Sequence, residues 1–294
     1  MRLLLTRRNR AGCESHWSKL AIVWLLLLTT SVAAVGPTQL KPGFNLFTRQ
    51  QDVQLGRELA AQIRKNSTIV NDPTLNAYVN AIGKRLAATP EARESGFTFT
   101  FEVVANPAIN AHALPGGPMF INTGLLRAVD NEAQLAGAMA HEMSHVILRH
   151  GTSQASKVDL IQLPLALAGQ MTDNGSLKGQ LTQLGIDLGA NSVLLKFSRT
   201  NESQADLMGT HLMAEAGYNP IQLAKFFGKL TEEDNVGALQ FLADHPNPDN
   251  RSRAIRQEAA RLPQQTYGYQ TGRFQQMKRA MANIKEPALK PDSQ

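Results

Sequence analysis

His141, Glu142 and His145 stand together in the run His141-Glu142-Met143-Ser144-His145, and their spacing suits metal-assisted hydrolysis. On an α-helix, positions i and i+4 share a face, so both imidazoles can reach one ion. Zinc takes neutral nitrogen ligands, keeps an open position in catalytic sites and brings the pKa of a bound water to about 7. Glu142, one step from the first histidine, is placed to take the proton. The competing reading is a polar surface helix carrying two unrelated histidines. Upstream, Asp130 or Asn131 can cap a helix, and downstream Arg149 and His150 suit a last turn that Gly151 can end. Between these ends lie mostly alanine, leucine, methionine and glycine, so the helix must be buried. Buried histidines and a buried glutamate need a partner to compensate their desolvation.

Two histidines leave a catalytic zinc site incomplete. Glu202, in Ser198-Arg199-Thr200-Asn201-Glu202-Ser203-Gln204-Ala205-Asp206, is the candidate third ligand. A helix is predicted from near Asn201 to Gly217, stopped by Tyr218-Asn219-Pro220. Glu202 and Asp206 are i and i+4 on it, so Glu202 can bind the metal while Asp206 accepts a hydrogen bond from a ligand histidine. Taken alone, such a pair is an ordinary solvated face; opposite a two-histidine helix it becomes the other half of a site.

These residues resemble the HtpX/Ste24/BepA-like zinc metallopeptidases, whose third ligand is a glutamate on a second helix. The matching blocks, in the family's order, are 54–59, 72–79, 110–117 with 120–126, the two ligand helices, and His245-Pro246 followed by Arg251. The resemblance implies one zinc ion held by His141, His145 and Glu202, with Glu142 as general base and then proton donor. It implies that Asp206 orients a ligand histidine, and that Arg199 and Arg251 brace the site through buried carboxylates. His245 would either donate to the oxyanion or occupy the open coordination position at rest; its bland alternative is a loop histidine before a proline. The fold implied is α+β and mainly helical, a zincin-like metalloprotease domain with a small edge-strand sheet beside the active-site helix. The substrates implied are unfolded or misassembled envelope proteins, with outer-membrane assembly machinery as a further partner. A rival reading is a latched, chaperone-like client-binding protein with little turnover. A closed structural zinc site is disfavoured by the base beside its ligands.

The stretch Asn110–Thr123 looks like that family's active-site edge strand. Pro115, Gly116 and Gly117 break regular pairing, and Met119 and Phe120 open a short strand that could pair with an extended peptide. The alternative is an ordinary turn between two strands. His112 replaces the aromatic residue expected there, either as a structural strand histidine or as one more histidine at the metal.

Helices are predicted at about 48–65, 72–88, 131–150, 176–197, 201–216, 220–231 and 249–261, and strands at about 97–105 and 118–123. Asp159–Ser176 reads as a flap over the cleft or as a buried connecting helix. Residues 1–34 carry Arg2, Arg7, Arg8, Arg10 and Lys19, an apolar run from Leu20 to Leu28, and small residues to Ala34. That is a secretory signal pattern, with an uncleaved anchor as the alternative. The expected location is therefore periplasmic or secreted, and membrane-proximal if the anchor is kept. Residues 35–281 form one catalytic domain, and 282–294 a disordered tail. The sole cysteine, Cys13, lies in the leader, which excludes thiolate chemistry and disulfides from the rest. The formal net charge of +6 also comes largely from the leader, so it is no argument for nucleic acid.

Overall fold

Thr48 starts the first helix, α1 (Arg49–Asn66), through a reciprocal capping box with Gln51, and Arg64 and Lys65 sit in its last turn. The computed structural model describes residues 36–157, 197–232, 241–246, 250–268 and 272–286. The expected leader, the 159–176 segment and nearly all of the 176–197 helix lie outside them. Among the described residues no helix is long and apolar enough to cross a membrane.

Asp72 caps α2 (Pro73–Leu86), which presents Leu75, Val79, Ile82 and Leu86 to the core. After a short α3 (Pro90–Glu94) come β1 (Thr100–Val104), β2 (Ala111–Ala113) and β3 (Pro118–Asn122). The sheet order is β1-β3-β2, with β1 parallel and β2 antiparallel to β3. The strand predicted at 118–123 is thus the central one, and the three-residue β2 is the edge. Gly116 and Gly117 turn the chain between β2 and β3 with φ of 78° and 119°. A Cβ on Gly116 would lie 2.5 Å from Val53 Cα, so the turn is packed onto α1.

From β3 the chain enters α4 (Thr123–Ala128) and then α5 (Glu132–Ile147), capped by Asn131 and buried along its whole length. This helix stops earlier than Gly151 suggested. Arg149 adopts φ 55°, and a further helix, α6, runs over 150–157 with Gly151 in its first turn. Long-range contacts hold the arginine in that left-handed conformation: Nε donates to Asp52 Oδ2 at 2.6 Å and a terminal nitrogen donates to the Phe47 carbonyl at 2.6 Å.

Ser198 and Asn201 form a second capping box that opens α7 (Arg199–Glu215). α8 (Ile221–Glu232), α9 (Arg251–Arg261) and α10 (Gly272–Met281) complete the described elements. The packing of α5 on α7 is the most extensive of any pair, and α8 and α9 close around them. α10 was not predicted, although Phe274, Met277 and Met281 recur at helical spacing and are buried. Within the expected tail, Ile284 packs on the core and Glu286 accepts from Arg127 at 3.1 Å. At the other end, Thr38 is pinned by its N–H and hydroxyl to the buried Glu258, at 2.6 and 2.8 Å.

Candidate metal centre and active site

Gly209 allows α7 to approach α5 at its histidines: a Cβ there would sit 3.2 Å from the His141 backbone nitrogen. One to two turns earlier on α7, Glu202 and Asp206 project between the helices. His141 Nε2 lies 3.2 Å from His145 Nε2 and 3.2 Å from Glu202 Oε2, and His145 Nε2 lies 3.4 Å from Glu202 Oε1. A tetrahedral ion with bonds of about 2.0–2.1 Å has donor–donor edges of about 3.3–3.4 Å. These donors therefore fit the outline of a small tetrahedral cation, and nothing in a zinc-free core would bring two imidazole nitrogens and a carboxylate together without a proton or a cation between them.

His245 follows a helical turn over 241–244 and adds a fourth donor, all four ligand atoms lying within 4.8 Å of one another. Its Nδ1 is 3.2 Å from Glu202 Oε1 and its Nε2 is 3.2 Å from Glu142 Oε1. The Ala113 backbone N–H faces the Glu142 carboxyl and pulls its pKa down, against the effect of burial. Aromatic rings wall the site: Phe197 stacks on His145 at 3.7 Å, Phe241 stacks on His245 at 4.7 Å, and Phe227 meets His141 edge-on at 5.4 Å.

Asp206 Oδ1 is 3.1 Å from His141 Nδ1, as the i, i+4 spacing suggested. Arg251 donates from Nε to Asp206 at 2.7 Å and from a terminal nitrogen to both Asp206 and Glu202 at 2.9 Å, with its guanidinium 3.7 Å above Phe227. Two carboxylates, those of Glu202 and Asp206, thus share one guanidinium, with Glu142 a further acid beside His245. Positive charge falls short of the acids, a deficit that a bound cation would fill. Protons answer part of it in the metal-free chain. Burial opposes a charged His141, but Glu202 and Asp206 outweigh it and push the imidazole up to about 9. Burial raises the Glu142 carboxyl, with His245 and His141 pulling the other way. It would raise Glu202 too, but His245, His141 and His145 hold that carboxyl far below the usual range. Burial also keeps His145 well below an ordinary histidine and His150 at about 4. His150 is therefore a neutral buried ring and not a positive charge complementing the helix dipole.

The structure brings together Glu142, His245, His141, His145, Glu202, Asp206 and Arg251. The other expected residues are placed differently. Arg199 is exposed in the first turn of α7, where burial begins at Asn201, whereas Arg251 is buried against Glu202 and Asp206. Met119 and Phe120 are each 1% exposed on the central strand, and Gly116 and Gly117 are buried against neighbouring backbone. Pro115 alone of that set stays partly exposed. The edge is β2, whose register leaves the backbone groups of Ala111 and Ala113 turned away from β3. His112 sits on β2 outside the four-donor group, its imidazole lowered by burial, with Asp244 opposing and His245 adding to the effect. Sequence reasoning missed Phe227 and Phe241, which read as ordinary core residues. It also missed Asn110, whose Nδ2 donates to Asp244 Oδ2 at 2.6 Å while its Oδ1 accepts the Ala111 N–H at 2.9 Å.

The chain is similar to known proteins. The family model described as Peptidase family M48 matches residues 73–259. The chain is 29% identical over 261 residues to the beta-barrel assembly-enhancing protease of Escherichia coli K12, covering 80% of this chain and 52% of that one. Its counterpart in Yersinia pestis is 30% identical over 288 residues, with 91% and 59% covered. The mitochondrial metalloendopeptidase OMA1 of Schizosaccharomyces pombe is 32% identical over 180 residues, with 60% and 51% covered. The chain thus spans about half the length of the curated relatives it matches.

Proposed function

The chain belongs to peptidase family M48, and from that premise we propose that it is a zinc metalloendopeptidase with its active site between α5 and α7. His141, His145 and Glu202 hold one zinc ion in this reading. The observation that carries it is the triangle of donor atoms 3.2–3.4 Å apart, with Glu142 beside it. When bound, zinc supplies Lewis acidity, polarising a scissile carbonyl and bringing the pKa of water to about 7. Glu142 takes the proton of the attacking water and returns it to the leaving amine. Its burial favours the protonated form, which serves that second transfer. The Asp206 carboxylate, 3.1 Å from His141 Nδ1, draws the imidazole proton to that nitrogen and leaves Nε2 free of one, while Arg251 fixes both carboxylates. His245 Nε2 donates to the substrate carbonyl oxygen as it gains negative charge.

The substrate is an extended chain that adds to the outer edge of β2 through backbone hydrogen bonds, which asks little of its sequence. The assembly-enhancing protease relatives favour unfolded or misassembled envelope proteins as substrates and outer-membrane assembly machinery as a partner. The charged and apolar pattern of residues 1–34 supports a periplasmic or secreted setting, reached through that leader or held at the membrane by it.

A second reading has its own support. His245 Nδ1 approaches Glu202 as closely as the ligand histidines do, which favours a site latched at rest by His245, with client binding and little turnover.

The deciding experiment is cleavage of an unfolded model protein by the zinc-loaded chain beside Glu142→Gln. Cleavage by the first, lost in the second with zinc retained, upholds the peptidase. Client binding without cleavage in either moves the latched reading ahead, and His245→Ala then raises activity instead of lowering it.

A further inference from the structure

We infer that His150 and Gln204 form a positioning relay that commits His145 to binding metal through Nε2. The inference rests on the reading of His145 as a metal ligand. His145 turns Nε2 toward His141 and Glu202, at 3.2 and 3.4 Å, so that nitrogen must present a lone pair. A neutral imidazole carries one N–H, which then resides on Nδ1. Nδ1 of His145 faces Nδ1 of His150 at 3.1 Å. Two lone pairs cannot share that distance favourably, so His145 donates and His150 accepts. The single proton of His150 is thereby assigned to Nε2, which lies 3.2 Å from Gln204 Oε1, an oxygen that can only accept. Each group fixes the protonation of the one before it, and the relay ends two positions beyond Glu202 on α7.

The backbone is built for this contact. On a continuous helix, residues five apart point about 140° away from each other, and their rings would not meet. The break at Leu148–Arg149, with Arg149 at φ 55°, turns His150 back onto His145. Arg149 is held there by Asp52 and by the Phe47 carbonyl. Phe197 stacks on His145, and His150 is 3% exposed, so little solvent is at hand to replace the acceptor. The two ligand histidines are consequently oriented by different means: His141 by a carboxylate, His145 by a neutral imidazole and an amide.

The test is zinc affinity of the full chain, measured by competition with a chromogenic chelator for the parent, His150→Leu, His150→Asn and Gln204→Leu. Thermal unfolding of each zinc-free form serves as the structural control. Loss of an outer hydrogen-bond partner of a metal ligand costs about 10–100-fold in affinity. His150→Leu is expected to fall in that range, Gln204→Leu to lose several-fold, and His150→Asn, which keeps an acceptor near the Nδ1 position, to recover most of it. A His150→Leu affinity within twofold of the parent refutes the relay. So does an Asn variant as weak as Leu whose zinc-free unfolding temperature falls equally. A parent that takes up no zinc overturns the metalloprotease reading and this inference with it; a tight parent with an unaffected Leu variant overturns the relay alone.

Discussion

Replacing Arg251 by methionine tests the charge balance of the site, because it removes the guanidinium and keeps an apolar stem over Phe227. Arg251 is 4% exposed and makes three short hydrogen bonds to Glu202 and Asp206. Without it, Asp206 retains the 3.1 Å contact with His141, and Glu202 retains the three histidines. Breaking a buried ion pair from one side costs about 3–5 kcal/mol. At roughly 2–4 °C per kcal/mol for a domain of this size, the zinc-free variant should unfold about 6–20 °C below the parent. Zinc adds two positive charges beside the same carboxylates, so the loss should shrink to roughly 1–2 kcal/mol in the loaded form. The assay is calorimetry of both proteins with and without zinc, and the expected signature is a larger zinc-induced rise in the variant. Equal losses in the two forms would show that Arg251 acts by packing and refute the charge argument. Adding Asp206→Asn to Arg251→Met should cost less than the sum of the two single changes, because each removes the other's partner.

Two further outcomes concern Gly209 and Glu215. Gly209→Leu forces a side chain into backbone that a Cβ alone would approach to 3.2 Å. It should cost about 1–3 kcal/mol of stability and weaken zinc in a chelator competition, whereas Ala224→Gly on α8 should lower stability without a comparable loss of zinc. Burial, the hydrogen bond to Glu91 and the Glu91 and Glu94 charges push Glu215 up to about 8. Its folded pKa exceeds the unfolded one, so the folded chain holds the extra proton between about pH 4.5 and 8, and stability falls as pH rises through that window. Discounted for solvent screening, Glu215→Gln should gain on the order of 1 kcal/mol at pH 8 and almost nothing at pH 4.5, read from urea unfolding at both pH values.

The pairing of His141 with His145 was legible because i, i+4 spacing is a property of the helix itself, and because two histidines and a glutamate on a buried helix need a partner to offset their desolvation. Glu202 and Asp206 were legible for the same reason, once a partner helix was assumed. The end of α5 was not. Gly151 is a louder local stop signal than Arg149, and the arginine takes its left-handed conformation from Asp52 and Phe47, about a hundred residues earlier in the chain. Strand order was equally hidden. Alternation at 97–101 and the short strand-like run at 118–123 mark strands, but which of them lies at an edge depends on where a three-residue β2 docks, and three residues carry no periodicity. Phe227 and Phe241 look like any core phenylalanine, and only the folded chain lays them against His141 and His245.

The outer edge of β2 carries a further meaning for how copies of this protein behave in a crowded solution. A sheet edge with free N–H groups is a template for strands of neighbouring molecules. Here the Asn110 side-chain amide covers the Ala111 N–H, and both Ala111 and Ala113 are buried where β2 packs beside α5. The outer edge of β2 offers the backbone groups of these two residues only, and a strand that adds must displace the amide first. The Asn110 amide therefore acts as a stopper against self-association.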